Sequence, residues 1–199
     1  MSRSLYLALM AGLFAVFAQS AFAAEVTKER TVKGTGKPGV VSVVTTTEKV
    51  EIVAVDQAKR TVKLKTSDGE VGTYKVSKEV RNLAQVKAGD ILKAKEVERL
   101  EINARKVKGH ATYTQSYTFE RAPKGAKPGF VATERIKISG TVQLVRYDQR
   151  RLIVTGPAGK TKSFDIAPDV ENLQQVKPGD LVVVDYTDAL SITVEAPKK

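Results

Sequence analysis

Two stretches of the chain spell nearly the same line. Residues 80–90 read VRNLAQVKAGD and residues 170–180 read VENLQQVKPGD, so eight of eleven positions agree without a gap at an offset of 90. Self-similarity of this kind constrains the fold more than any single element, because each copy must adopt one shape and bury one face. The flanks extend the match. Glu29-Arg30 aligns with Glu120-Arg121, Lys37-Pro38-Gly39 with Lys127-Pro128-Gly129, Asp56-Gln57 with Asp148-Gln149, and Leu100-x-Ile102 with Leu190-x-Ile192. The pattern is that of a duplicated unit of about 80 residues.

Within each copy the apolar residues alternate, as a half-buried strand requires. Val44, Thr46, Val50 and Ile52 share one face in the first copy, and Ile136, Ile138, Val142 and Leu144 share it in the second. Gly140 marks a bulge or sharp bend there. Asp56-Gln57 and Asp148-Gln149 open hairpin loops, followed by strands carrying Val62 and Leu64, or Leu152 to Val154. Ser67-Asp68-Gly69 and residues 156–159 make the next turns, and third strands follow with Tyr74 and Val76, or Phe164 and Ile166, as inward pairs.

Val80, Leu83 and Val86 recur every three residues, as do Val170, Leu173 and Val176, which predicts a short helical turn. Gly89-Asp90 and Gly179-Asp180 then act as structural turns: the glycine accepts positive φ and the carboxylate binds nearby backbone N–H groups. Fourth strands are expected at Ile91–Val97 and Leu181–Tyr186, and fifth strands around Leu100–Ile102 and Leu190–Val194. The predicted fold is all-β with short helical inserts, a tandem duplication of a small five-stranded OB-like barrel. The expected divisions are a signal peptide at 1–23, a first barrel repeat with a basic N-terminal segment at 24–109, and a connecting strand with the second repeat at 110–199. An 80-residue unit is marginal alone, so the two copies are expected to pack together or exchange a strand.

The leader reads as an export signal. Arg3 precedes an apolar run from Leu5 to Phe17, and Ala21-Phe22-Ala23 places small residues at the cleavage positions. The uncharged run from Ser4 to Ala24 is long enough for an uncleaved anchor, but its short apolar centre and Ala-rich end favour cleavage after Ala23. No later stretch is apolar enough for a membrane span, so the expected location is a periplasm. Losing Arg3 with the leader lowers the formal charge from +11 to +10, weighted towards residues 24–109.

Composition excludes several chemistries. With no Cys there is no disulfide framework, thiolate zinc site, cysteine nucleophile or lipidation box; with His110 alone there is no multi-histidine metal site within one chain. His110 reads as an exposed residue of the connecting segment. Asp56, Asp90, Asp148 and Asp180 are explained by turn chemistry. Residues 34–37, GTGK, lack the flanking strand and helix of a phosphate loop, and their counterpart at 124–127, KGAK, loses a glycine.

Charge is the stronger signal. Lys59-Arg60 with Lys63 and Lys65 form one cluster; Arg105, Lys106, Lys108, Arg121, Lys124 and Lys127 form the candidate polyanion site, with Tyr113, Tyr117 and Phe119 between its halves. Tyr113, Tyr117 and Phe119 also suit a strand bridging the two copies. Nucleic acid is a poor partner for an exported chain. An anionic envelope polymer, lipid head groups or another envelope protein fit better, with no cofactor. The expected role is a non-catalytic binding or interaction module; the alternatives are an envelope hydrolase using carboxylates between the repeats and a structural adaptor.

The Val-rich first strand, Asp-Gln before a basic turn, Val-x-Asn-Leu-x-Gln-Val-Lys-x-Gly-Asp and a closing Ala-Leu-x-Ile together resemble a repeat of small exported proteins of Gram-negative bacteria. The resemblance spans nearly the whole mature chain and implies a periplasmic β-barrel unit without a known activity. A looser likeness runs to OB-fold periplasmic copper carriers, which share export, barrel size and a Lys-x-Gly-Asp turn. Those hold Cu(I) with Met and His beside a Trp. Here Met1 and Met10 fall in the leader and Trp is absent, so that site carries over to no residue.

N-terminal sequencing of the protein recovered from an envelope fraction is expected to begin at Ala24. A chain retaining Met1, or one anchored in the membrane pellet, contradicts the cleavage reading.

Overall fold

The computed structural model describes residues 25–34, 38–78, 80–107, 109–168 and 170–197. The leader, residues 35–37 and Lys108 lie outside the described residues. The chain is all-β: β1 (Glu25–Gly34), β2 (Gly39–Asp56), β3 (Thr61–Lys65), β4 (Val71–Lys75), β5 (Ile91–Arg105), β6 (Tyr113–Arg121), β7 (Gly129–Arg146), β8 (Arg151–Thr155), β9 (Thr161–Asp165) and β10 (Leu181–Glu195). Single 3-10 turns stand at Leu83–Gln85, Pro157–Gly159 and Leu173–Gln175. The triplet spacing at Val80 and Val170 thus yields the expected helical turns, with Leu83 and Leu173 buried at their starts.

All ten strands belong to one antiparallel sheet in the order β4-β3-β2-β5-β10-β7-β8-β9, with β1 beside β2 and β6 beside β7. The hydrogen-bonded path is open; it does not close each half into its own five-stranded barrel. The reason lies at residues 98–99 and 188–189. No Gly, Pro or Asn interrupts the chain there, so the expected fourth and fifth strands run on as one fifteen-residue strand in each half. Strands of that length outreach their own half and pair with each other.

The β5–β10 ladder has an internal two-fold character. Leu181 pairs with Arg105 and Glu195 with Ile91, so positions 90 apart exchange places, and Glu98 faces Asp188 at the centre. Each half of the sheet curls over one end of this ladder. The core of the first lobe holds Val50, Ile52, Leu64, Leu83 and Leu92, together with Phe130, Ile192 and Val194 from the other half. The second lobe packs Val142, Val145, Leu152, Leu173 and Val176, with Ala104 of β5 against them. The expected boundary between 109 and 110 falls in a connection, while sheet and core run across it.

Local geometry recurs at an offset of 90. Ile52 N–H donates to Asp90 O and Gly89 N–H to Ile52 O, both at 2.7 Å; Val142 N–H donates to Asp180 O at 2.9 Å and Gly179 N–H to Val142 O at 2.8 Å. Both ladders then shift register, between Ile52 and Ala54 and between Val142 and Leu144. The shift lies beyond Gly140 and reverses the alternation. Leu144, expected beside Val142 on the inner face, is therefore turned outward and 41% exposed, and Val145 takes the buried position. Phe164 also departs from its expected inward place: it is 47% exposed on the outer strand β9. The second lobe has Val40 where the first has Phe130, leaving a smaller core to roof it.

Two alignments of the repeat shift as well. Thr61 pairs with Asp56 and Arg151 with Arg146, so Asp56 corresponds to Arg146 and not to Asp148. The β6–β7 loop is longer than the β1–β2 loop, which moves Glu120-Arg121 out of step with Glu29-Arg30.

A chain limited to residues 24–109 lacks Phe130, Ile192 and Val194, whose burial contributes roughly 5–9 kcal/mol at 1.5–3 kcal/mol each. That is comparable with the whole stability of a small domain. Circular dichroism and proton NMR of this fragment are expected to show an unfolded chain; a dispersed, cooperatively melting spectrum contradicts the shared core.

Candidate functional site

The basic residues singled out from the sequence do not form one patch. Arg105 and Lys106 are exposed at the end of β5, where Arg105 pairs with Leu181 in the second lobe. Arg121, at the end of β6, pairs with Phe130, which faces Ile192 and through it Ala94 of β5. The two groups are thus eleven residues apart along β5, about 35 Å at 3.3 Å per residue. Exposed Lys124 lies in the β6–β7 loop with Arg121. Lys108 lies outside the described residues.

Two members of the set hold the fold together. Lys127 forms an ion pair with Asp90, whose side chain is 4% exposed, and also donates to Gln85 O at 3.4 Å. Asn82 Nδ2 donates to Pro123 O at 2.7 Å, so the whole β6–β7 loop is strapped onto the first lobe. Arg121 lies over the Phe119 ring, 5.2 Å from its centroid. Arg60, grouped with Lys59 as a basic cluster, is structural too. At φ 52° it donates to Ser77 O at 2.6 Å and Val80 O at 2.9 Å. Arg150, at φ 47°, repeats this with Ala167 O and Val170 O at 2.6 and 2.8 Å. An arginine at the same place in both copies was the legible signal for this staple.

The turn residues behave as their chemistry requires. Gly89 and Gly179 have φ of 89° and 91°. Lys87 N–H and Lys177 N–H each donate at 2.9 Å to Oδ2 of Asp90 and Asp180. For Asp90 burial is the largest single influence and opposes ionisation. The Lys127 hydrogen bond, the Lys87 N–H and the charges of both lysines together outweigh it, and its carboxyl titrates below the usual aspartate range. His110 is exposed in the segment before β6.

A different set of residues meets between the lobes. Residues that pair directly across an antiparallel sheet project on one face, with Cβ atoms about 5 Å apart. One such row reads Val44, Glu98, Asp188, Glu134 and Tyr117 across β2, β5, β10, β7 and β6. Three carboxylates therefore stand side by side on the face that carries the two cores, midway between them. Tyr186 OH donates to Glu98 at 3.2 Å, while Tyr117 OH and Gln115 Nε2 donate to Glu134 at 2.9 and 2.6 Å. Glu98, Glu134 and Asp188 are half-buried, on the floor of a saddle. Nothing in the local sequence marks the three carboxylates as a row; it exists only through the registers of β5, β10 and β7. The one linear trace is that Glu98 and Asp188 are acidic at equivalent positions.

The opposite face is an ion-pair surface. Arg135 binds Asp185 at 2.5 and 2.8 Å, and Arg99 binds Glu101 at 2.6 Å. These bonds first of all, with the Asn103 amide adding at Glu101, hold both carboxyls below their ordinary range. Among the described residues no group of three or more His, Cys, Asp or Glu is placed to hold a metal ion. No helix among them is long and apolar enough to cross a membrane. A cavity of about 30 Å³, lined by Val80, Leu92, Phe130 and Ile192, lies beside the strapped loop. Small-molecule pockets span roughly 300–1,000 Å³, so it has room for a water and not for a substrate. No protein-family model matches the chain, and no curated protein or solved structure matches it either.

Replacing Lys127 by Met is expected to cost about 1–3 kcal/mol at pH 7, because Asp90 keeps its charge and burial but loses its partner. Because the folded carboxyl is depressed, this stabilisation is present above the unfolded aspartate value and is lost as pH falls through the folded one. Urea melts of both proteins are expected to converge below about pH 4. An equal gap at pH 7 and pH 3 contradicts this assignment.

Proposed function

We propose that the chain is an exported, periplasmic interaction protein with no catalytic step of its own, meeting an anionic envelope component through surface charge. The single observation that carries this reading is the form of the surface. Basic groups stand at both ends of one long sheet about 35 Å apart, which suits an extended polymer better than a compact anion. The acidic saddle repels such a polymer and confines it to the ends and the ion-paired face.

The row Glu98, Asp188 and Glu134 favours a second reading, a hydrolase with its carboxylates between the lobes. Directly opposed residues have Cβ atoms about 5 Å apart, which brings neighbouring carboxylates to one place, and a carboxylate pair is what glycoside hydrolysis uses. The open saddle and the tyrosine hydrogen bonds to Glu98 and Glu134 support binding over turnover.

One experiment separates the two. The mature protein is titrated with lipopolysaccharide and with peptidoglycan fragments at about 0.05 and about 0.5 M salt, and the same mixtures are assayed for cleavage. The interaction reading expects binding that weakens at the higher salt and no cleavage. Absent or salt-insensitive binding overturns it, and cleavage abolished by Glu98→Gln or Asp188→Asn establishes the hydrolase.

A further inference from the structure

The outer face of the first lobe carries a set of lysines that its fold does not require. In β3 and β4 the side chains of Val62, Leu64 and Tyr74 turn towards the core, so Lys63, Lys65 and Lys75 turn outward. Lys65 pairs with Glu51 of β2, and Glu51 with Ile91 of β5, which brings Lys93 and Lys95 onto the same face. The five lysines thus spread over four neighbouring strands, a width of about 14 Å at 4.8 Å per strand. Two carboxylates stand among them: Glu51 lies 4.0 Å from Lys65, and Glu195 lies 3.7 Å from Lys93. Lys63, Lys75 and Lys95 are exposed, with no ion pair or hydrogen bond among the described residues.

The second lobe is the internal control. Its strands pair in the same registers: Thr61 with Lys75 matches Arg151 with Asp165, and Ile91 with Glu195 matches Leu181 with Arg105. The places of Lys63, Lys65, Lys75, Lys93 and Lys95 are taken there by Ile153, Thr155, Asp165, Val183 and Asp185, none of them a cation. The same strands therefore form with no lysine at any of the five positions. Guarding of an exposed edge accounts for a lysine on the outer strand β4, but Lys93 and Lys95 lie on β5 in the middle of the sheet. Lys49 stands directly across from Lys93, a like-charge pairing that works against the ladder. An anionic partner outside the chain accounts for this placement.

We propose that this face docks the protein on a membrane surface of phosphate-bearing lipids. The proposal rests on the interaction reading above and names its partner and its face. A polymer lying along one strand meets one row of charges, whereas a head-group layer meets all four strands at once. Val71 also argues for lipid. It pairs with Lys65 on the same outward face and is 55% exposed. An apolar side chain there enters the head-group layer while the lysines around it bind phosphate. The acidic saddle lies on the opposite face of the sheet and is turned away from the membrane.

The test is sedimentation of the mature protein with vesicles of phosphatidylcholine, alone or mixed with phosphatidylglycerol, at low and high salt. Binding is expected only to the anionic vesicles, and to weaken as salt rises. Lys63→Thr, Lys65→Thr and Lys95→Thr combined are expected to weaken it about fivefold for each lysine removed. A charge-matched control on the second half, Lys160→Thr, Lys162→Thr and Lys177→Thr, is expected to bind as the unaltered chain does. All six side chains are exposed, so both triple variants are expected to keep the original melting curve. Val71→Ser is expected to weaken vesicle binding and to leave binding to peptidoglycan fragments unchanged. Equal losses from the two triple variants overturn the assigned face while the interaction reading stands. Salt-sensitive binding to peptidoglycan fragments without binding to vesicles overturns the lipid partner and again leaves that reading. Binding to none of vesicles, lipopolysaccharide and peptidoglycan fragments overturns both.

Discussion

The β5–β10 ladder is the constraint on which the rest of the molecule depends. It joins residues about ninety apart in sequence, so nothing local enforces it, yet it places every other strand. β2 and β7 flank it, each long enough to serve one lobe at one end and the other lobe at the other. Had either central strand broken near its midpoint, each half would have been free to close on itself. The absence of a turn residue at 98–99 and 188–189 is thus the decisive feature of the sequence.

Placing the dyad at Glu98 and Asp188 has an electrostatic cost, since two like charges oppose each other at the middle of the ladder. Tyr186 meets part of it with its hydrogen bond to Glu98, while both residues are half-buried and Oδ1 of Asp188 is closed off from solvent. The cores lie towards the two ends. Hydrophobic burial therefore stabilises the extremities, and backbone hydrogen bonding carries the centre. The straps reinforce this division: the loop holding Lys127 leaves the second half of the chain to bind Asp90 in the first.

Features set by near neighbours were legible in the sequence. The all-β class, the 3-10 turns at Leu83 and Leu173, the Gly-Asp turns and the strand at Tyr113–Arg121 follow from periodicity and turn chemistry, which act within a few residues. Features set by register were not. The bulge that turns Leu144 outward adds one residue to one strand and leaves no compositional mark. The acidic row between the lobes is a product of two pairings among three strands. The basic cluster failed for the converse reason: Arg105 and Arg121 are close in sequence but are carried to opposite ends of the sheet by the strands between them. The thin core that 80 residues supply led to the expectation that the two halves pack together or exchange a strand, and Phe130, Ile192 and Val194 of the second half do lie in the first lobe's core.

The central ladder also governs when the protein becomes folded. β10 follows every other strand in the chain, and the first lobe needs its Ile192 and Val194. Loop closure of this span is slow compared with local hairpin formation, and until it happens each half exposes an incomplete apolar face. A chain emerging from its N-terminus therefore completes its first core only when its last strand arrives, and strand order alone sets that moment.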